Sequence, residues 1–195
     1  MRNTCFFIAL ALLLVHISCK EKDKSIYENC CGAAAMVDTV HMVLTWTDDQ
    51  GGTFDTTVVG KIYIPNIFTP SADPNVENRI FMPFGNEWVK RIVYSKYFSD
   101  SGELLFSKEN FQVNDTYYAW IGQQADGSYY KGGFNYEISV EYDNGQIKTY
   151  TGRACAYQCS EIGFPKAQLP DCLFPSQNDG YGSPDITRPQ PLECF

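Results

Sequence analysis

The segment "FNYEISVEYDNGQIKTYTG" at residues 134–152 places the strongest constraint on the fold. Its first nine residues alternate strictly between apolar and polar side chains, and a period of two indicates a half-buried β-strand. The "DNG" that follows can supply the positive φ angles of a two-residue hairpin turn, so "QIKTYTGRACAY" is the expected return strand. We expect the core to receive Phe134, Tyr136, Ile138, Val140 and Tyr142, and water to contact Asn135, Glu137, Ser139 and Glu141.

A second alternating segment runs from Met36 to Trp46. One side would present Val40, Met42, Leu44 and Trp46, and the other Thr39, His41 and Thr45. The turn residues "DDQGG" and the strand-like "TFDTTVVGKIYI" follow, which predicts a second hairpin.

The segments "RIFMPF", "VKRIVYSKYF" and "ELLFS" complete a set of seven or eight short strands. No helical period is present after the N-terminal segment. The fold class is therefore expected to be all-β, as an immunoglobulin-like antiparallel β-sandwich with a Pro-rich, disulfide-pinned C-terminal tail.

The N-terminus "MRNTCFFIALALLLVHISC" has one positive charge, at Arg2, and then an apolar run from Cys5 to Val15. This run is too short to span a bilayer as a helix, so residues 1–18 are predicted to be a signal peptide. The Ser18-Cys19 end resembles the lipobox of bacterial lipoproteins, which implies lipid attachment at Cys19. The alternative is a plain cleaved signal peptide without lipid.

Residues 19–29 begin with the charged stretch "KEKDKS" and suit a lipid-anchored tether. A charged run after an acylated cysteine resembles an export tag, which implies an outer membrane lipoprotein of the bacterial cell envelope, exposed at the surface. The formal net charge of −8 argues against nucleic acid and anionic membrane surfaces as partners. The expected membrane contact is therefore the N-terminal lipid alone, and no cofactor is expected.

Six cysteines follow Cys19, and an even number in an exported chain predicts disulfides. They are Cys30, Cys31, Cys155, Cys159, Cys172 and Cys194. The first four flank the predicted domain, residues 30–159, where two bridges would join its ends. A tetrathiolate zinc site at the same four cysteines is the disfavoured alternative, because neither pair has the usual two-residue spacing.

Residues 160–195 form a tail that contains six of the ten prolines. Prolines exclude a regular central strand there. Cys172 and Cys194 offer a way to pin the tail, since closing a loop of that size stabilises by roughly 3 kcal/mol in the chain-entropy model.

Residues suited to catalysis are few. His41 is the sole histidine after residue 18, and it lies on the polar side of its strand, so a histidine-dependent mechanism would rest on it alone. Most carboxylates fall in predicted turns, where aspartate bonds its own backbone. We therefore expect no enzymatic activity and no metal site.

Five aromatic residues surround one predicted turn in "TYYAWIG" and "GSYYKGG". Exposed aromatic rings can stack on sugars, although strand alternation must send some of them inward. The candidate ligand-binding residues for a glycan or peptide are Tyr117, Tyr118, Trp120, Tyr129 and Tyr130.

The segment "IYIPNIFTP", with its Pro-Asn-Ile-Phe-Thr-Pro elbow at residues 65–70, opens a pattern that extends to Gly152. Together with "YYAWIG" and the final hairpin it resembles the gliding motility-associated C-terminal domain, a type B sorting domain-like family. That resemblance implies a β-sandwich at the end of a type IX secretion cargo. The matching positions are Tyr63, Pro65, Asn66, Phe68, Thr69 and Pro70 in the elbow region, and Tyr136, Gly145 and Gly152 in the hairpin.

Two departures alter the functional expectation. The loop "SADPNVEN" lacks the family's glycines, and 43 residues follow Gly152 where the family's chains end. We therefore expect a non-enzymatic envelope lipoprotein whose domain acts in surface interaction or assembly, with surface proteins or glycans as candidate partners. The alternatives are a glycan- or peptide-binding surface module and a type IX secretion cargo with a degenerate sorting domain.

Overall fold

The computed structural model describes residues 26–71, 73–159, 164, 166–191 and 194. The signal peptide, the lipid attachment at Cys19 and the first part of the tether lie outside the described residues. The described chain forms two β-sheets with only short 3₁₀ helices, so the expectation of an all-β protein is confirmed.

Eight strands and four 3₁₀ helices are found among the described residues. The strands are β1 (Met36–Thr47), β2 (Thr53–Ile64), β3 (Ile67–Phe68), β4 (Phe84–Gly85), β5 (Val89–Ser99), β6 (Leu104–Phe111), β7 (Gly132–Tyr142) and β8 (Ile147–Ala156). The 3₁₀ helices are η1 (Val76–Arg79), η2 (Thr116–Tyr118), η3 (Lys166–Asp171) and η4 (Pro175–Gln177).

The strands divide into a three-stranded sheet, β1-β2-β4, and a five-stranded sheet, β3-β8-β7-β5-β6. Neighbouring strands are antiparallel except for β3 and β8, which are parallel. The long strands β1 and β6 each form one outer edge of a sheet.

The hairpin of β1 and β2 forms as expected, with unbroken pairing from Met36 opposite Ile64 to Thr47 opposite Thr53. Its turn is organised by Asp48. The Asp48 carboxylate accepts hydrogen bonds from the amides of Gln50, at 3.0 Å, and Gly52, at 2.7 Å. The sequence interpretation of "DDQGG" as a turn is confirmed.

The hairpin of β7 and β8 also forms, but its turn differs from the expected one. Pairing closes with the Tyr142 amide donating to the Gln146 carbonyl at 2.9 Å, which leaves a three-residue loop. Gly145 has a φ of 80°, whereas Asn144 is not among the residues with positive φ. A three-residue loop with one left-handed glycine is the next most common hairpin connection, so "DNG" predicted the hairpin correctly and the turn type wrongly.

One face of β7 matches the sequence expectation, and the other does so only in part. All five expected core residues of β7 are buried, but Ser139 and Glu141 are also buried, at 3% and 8% exposure. Lys90 and Arg91 on β5 explain the burial of Glu141, because their cationic groups contact its carboxylate at 2.7 and 2.6 Å. Ion pairs with β5 thus bury Glu141, although the alternation of β7 predicted that its side chain faces water.

Both sheets contribute to one hydrophobic core, which includes Met42 and Ile62 from the smaller sheet and Ile138 from the larger one. The sheets approach closely at Gly60, because a Cβ there would lie 2.6 Å from Cδ1 of Tyr142. Glycine is therefore the side chain that this contact between β2 and β7 allows.

Aromatic rings fill one end of the core. Phe134 packs edge-on against Phe81 and Trp120, with ring centroids 4.9 and 5.0 Å apart. Edge-to-face pairs at such distances stabilise by about 0.5–1.5 kcal/mol beyond the area they bury. Phe81 and Trp120 also form an isolated β-bridge, and Pro83 follows two residues later. Since proline cannot donate to a ladder, the expected strand "RIFMPF" is reduced to that bridge and the two residues of β4.

The elbow is the connection between the two sheets. β2 ends at Ile64 in the smaller sheet, and Ile67 pairs with Cys155 of β8 in the larger sheet. Ile67 and Phe68 are fully buried. The elbow therefore marks a corner of the fold, where the chain leaves one sheet and enters the other.

The described residues contain three disulfides: Cys30–Cys155 joins the segment before β1 to β8, Cys31–Cys172 joins that segment to the tail, and Cys159–Cys194 joins the residues after β8 to the tail. The Cα atoms of each pair are 4.4–5.1 Å apart, within the range that a disulfide can bridge. The zinc alternative is wrong, because the four cysteines it required are bonded in three separate disulfides. Of the two bridges expected between Cys30 or Cys31 and Cys155 or Cys159, only Cys30–Cys155 forms. A loop closed between Cys172 and Cys194 is also wrong, because Cys172 is bonded to Cys31 and Cys194 to Cys159.

The tail is packed against the domain by the disulfides and by its own apolar residues. Phe174 is fully buried, and its carbonyl accepts a hydrogen bond from the Tyr63 hydroxyl at 2.9 Å. Phe164 and Phe174 belong to a second apolar cluster together with Tyr27 and Tyr157. The described tail residues thus extend the core.

Candidate functional surfaces

Asn66 in the elbow is a buried clamp that joins three parts of the chain. Its Nδ2 donates to the carbonyls of Ala33 and Asp171, both at 2.9 Å, and its Oδ1 accepts from the Leu173 amide at 2.7 Å. Its own carbonyl accepts from the Cys155 amide at 2.9 Å. With 1% exposure, Asn66 connects the segment before β1, the tail and β8, and it is structural rather than available to a ligand.

Most buried polar groups of the loop after the elbow are hydrogen-bonded within the fold, whereas Nδ2 of the buried Asn78 has no partner among the described residues. Asp73 is fully buried, and its carboxylate accepts hydrogen bonds from the Thr69 hydroxyl and, at 2.8 Å, from the Asn75 amide. The Arg79 guanidinium donates to the Asp73 carbonyl at 2.7 Å, and Asn78 Oδ1 accepts from the Ser176 amide at 3.0 Å. The loop therefore uses its polar groups to fold on itself and to hold the tail.

The five candidate aromatic residues do not form one exposed platform. Trp120 is 3% exposed in the core, so its ring is not available for stacking on a ligand. Tyr118 is half-buried and stacks on Phe111 with ring centroids 5.5 Å apart. Tyr129 and Tyr130 are half-buried, and the Tyr130 hydroxyl donates to the Gly133 carbonyl at 2.8 Å.

Tyr117 is the one member of that set whose ring is largely free, at 85% exposure. It packs edge-on against Tyr118, 5.1 Å away between ring centroids. A single exposed tyrosine can contact a partner, but it cannot enclose a ligand.

A groove that was not predicted from the sequence lies beside the turn end of the β1-β2 hairpin. It has a volume of about 440 Å³ and contains Trp46, which is 45% exposed. Phe54, opposite Trp46 on β2, is 53% exposed. We call this the hairpin groove, and its lining residues are Val43, Leu44, Thr45, Trp46, Asp143 and Asn144. Trp46 beside polar groups of the β7-β8 turn gives it the mixed character of a binding surface.

A polar network joins the two sheets through Asp38 of β1 and residues of β7 and β8. The Tyr150 hydroxyl is 2.6 Å from the Tyr142 hydroxyl and donates to Asp38 Oδ2 at 2.8 Å, while Lys148 Nζ lies 2.5 Å from the same oxygen. Burial raises the pKa of the Asp38 carboxyl, but the bonds from Lys148 and Tyr150 outweigh burial, and its pKa is lowered overall. Burial also raises the pKa of Tyr150, and Tyr142 and Asp38 raise it further.

A smaller groove of about 250 Å³ separates the tail from the loop before β4. Glu77 and Arg188 lie on its walls with Ile80 and Phe84. This smaller groove lies where η4 of the tail packs against η1.

The residues considered for catalysis are dispersed. His41 is exposed on β1, and the carboxylates of Asp48 and Asp126 bind amides of their own turns. Across the described ranges no three His, Cys, Asp or Glu side chains are placed to hold a metal ion. The same part of the chain contains no helix with the length and hydropathy to cross a membrane.

Neither a protein-family model nor a curated protein sequence matches this chain.

Proposed function

We propose that this chain is a non-enzymatic lipoprotein of the bacterial cell envelope, anchored through Cys19, whose two-sheet domain acts in surface interaction or assembly. The proposal combines the signal peptide and lipobox-like end at Ser18-Cys19 with the way in which the domain meets its tether.

The observation that carries the proposal is the position of the first two disulfides. Cys30 and Cys31 come directly after the tether, and they are bonded to Cys155 in β8 and Cys172 in the tail. A pull on an anchored N-terminus would pass through these covalent bonds into the larger sheet without unzipping β1 from β2. Such an attachment suits a domain that is held at a surface while a partner pulls on it.

An immunoglobulin-like sandwich is the architecture that we propose for this domain. It is supported by a core shared between the three-stranded and five-stranded sheets and by the close approach of β2 to β7 at Gly60. The elbow, which transfers the chain from β2 in the smaller sheet to β3 in the larger sheet, also supports a two-sheet architecture.

The packing of the tail favours a domain that does not act as a sorting signal, unlike the family that it resembles. The chain continues after Gly152 into a tail bonded through Cys172, and the Tyr63 hydroxyl binds the tail at Phe174. A segment that serves as a terminal signal would need to be accessible to its export machinery. We infer that the fold is retained for interaction, with the hairpin groove and its exposed Trp46 as the favoured contact surface.

The anchor is tested by detergent phase partitioning of the wild-type chain and the variant Cys19→Ala in a bacterium that processes lipoproteins. We expect the wild type in the detergent phase and the variant in the aqueous phase, because a lipid chain adds about 0.8 kcal/mol of membrane affinity for each buried methylene. The matched control is Cys5→Ala, which alters a cysteine inside the signal peptide and should partition as the wild type does. Aqueous partitioning of all three chains would contradict the proposal.

A further inference from the structure

The outer edge of β1 is open along its length. β1 pairs only with β2 within the described chain, and every second residue of an edge strand directs its backbone N–H and C=O groups away from its partner. Two observations identify which residues these are.

The first observation is the Asp48 amide, which donates to the Gly52 carbonyl at 2.8 Å and so makes Asp48 and Gly52 a hydrogen-bonded pair. Pairs of this kind recur at every second position, so the even-numbered residues of β1 bond to β2. The second observation is the Lys61 carbonyl, which accepts from the Asn86 amide on the far side of β2. Since Lys61 lies opposite Thr39, the pair Thr39–Lys61 is not hydrogen-bonded, and the two observations agree.

The outward backbone groups therefore belong to the odd-numbered residues of β1. They are Val37, Thr39, His41, Val43, Thr45 and Thr47. The side chains of Val37 and Val43 are also exposed, at 47% and 60%. The edge thus offers apolar surface and outward backbone groups, of which the Thr39 amide bonds to the Asp38 carboxylate.

The other long edge strand is protected in ways that β1 is not. β6 presents exposed Lys108 and Glu109 in its centre, and its pairing with β5 is irregular at Tyr97 and Phe98. Charged residues and irregular pairing are the devices that keep sheet edges apart. β1 contains one charged side chain, Asp38, and Lys148 neutralises it at 2.5 Å. The edge of β1 therefore carries no unpaired charge of its own that would oppose the same edge of a second copy.

We propose that β1 pairs antiparallel with β1 of a second copy about a two-fold axis at Val40, which joins two three-stranded sheets into one of six strands. Hydrogen bonding between outward groups requires odd-numbered residues opposite odd-numbered residues. This axis places Val37 opposite Val43 twice and Thr39 opposite His41 twice, with roughly eight backbone hydrogen bonds. Moving the axis to His41 would instead set Val37 against Thr45 and the two histidines against each other.

Sedimentation equilibrium of the purified full chain in density-matched detergent tests the association. We expect a dimer for the wild type and loss of the dimer for Val37→Lys/Val43→Lys, because each lysine then faces a lysine of the other copy. The matched control is Thr53→Lys/Thr57→Lys, which adds the same charges to exposed positions one strand further in and should remain dimeric. A monomeric wild type, or equal loss of the dimer in both variants, would overturn the proposal.

Disulfide cross-linking tests the register without relying on a lysine variant that folds. Chains with Val37→Cys and chains with Val43→Cys, carrying different tags, are produced together and oxidised. We expect a cross-linked dimer between the two tags and none within either variant alone, because identical positions lie about 20 Å apart along the strands at 3.3 Å per residue. Cross-links to another protein, or equally within each single variant, would contradict the second copy as the occupant in this register.

Discussion

Asn66 shows how one amide can close a fold. Ala33, Asp171 and Leu173 meet at its side chain, although they lie 33, 105 and 107 residues away in sequence. The segment before β1 and the tail have little regular structure of their own, so their buried backbone groups depend on such a partner. Asparagine suits the position because it supplies two donors and an acceptor without a charge.

We therefore predict that Asn66→Ala lowers the free energy of unfolding by roughly 3 kcal/mol or more. The substitution leaves two carbonyls and one amide without their partner in a site that is 1% exposed, and each costs about 1–3 kcal/mol. Urea denaturation with intact disulfides measures the change. Asn135→Ala, at an exposed position of β7, is the control and should stay within about 0.5 kcal/mol of the wild type. Equal stability of the two variants would contradict the clamp.

At the scale of elements, the long strands could be predicted from the sequence. The residues that neighbouring strands and the other sheet place beside them could not. The alternation in β7 and β1 reflects which side chains each strand turns inward, a local property. Glu141 was assigned to water because nothing in its own strand indicates Lys90 and Arg91 beside it. The hairpin groove was missed for a similar reason, since Trp46 continues the apolar side of β1 beyond the point where the other sheet covers it.

The first hairpin thus has a covered end and a free end. Val40 and Met42 are buried, whereas Trp46 and the residues opposite it are exposed. Local opening is easiest where backbone hydrogen bonds are exposed and few apolar contacts hold the strands together. We expect faster hydrogen exchange for the β2-bonded amides of Leu44 and Trp46 than for those of Val40 and Met42.

Amide exchange followed by NMR measures this gradient, and β7 supplies the internal reference because it is paired on both sides along its length. Uniform protection along β1 would contradict an end that opens independently. The outward amides of Thr39 and His41 form a separate class, whose protection should rise with protein concentration only where β1 pairs with a second copy.

At the scale of the whole molecule, the disulfides and the buried tyrosines bind the fold into one unit. The oxidation of the cysteines was predicted from their even number and the signal-peptide-like N-terminus, but their pairing could not be, because six cysteines allow fifteen connectivities and proximity arises only in the folded chain. Cys31 and Cys172 are 141 residues apart in sequence. Closing a loop of that size stabilises the folded state by roughly 5 kcal/mol in the chain-entropy model. The tail is therefore part of the domain's stability.

The buried tyrosines predict how the whole fold responds to alkali. Burial raises the pKa of Tyr136 to about 12 and raises those of Tyr63, Tyr97, Tyr142 and Tyr150 as well, whereas an unfolded tyrosine has a pKa of about 10. The folded state then retains protons that the unfolded state releases. This contribution to stability is complete below pH 10 and is lost as the pH rises towards the folded values, by about 1.4 kcal/mol per pH unit for each tyrosine.

We accordingly predict cooperative unfolding above pH 10, in which circular dichroism changes together with the ultraviolet absorbance of tyrosinate. Tyr136→Phe removes one tyrosine whose pKa burial raises. After correction for any difference in stability at pH 7, the variant should unfold at a higher pH than the wild type. Tyr117→Phe, at a site that is 85% exposed, should leave the midpoint unchanged. If all thirteen tyrosines ionised near pH 10 while the circular dichroism stayed constant, the buried hydroxyls would not be linked to folding. Coincidence of the two signals would instead show that the core opens as one unit when its phenols lose their protons.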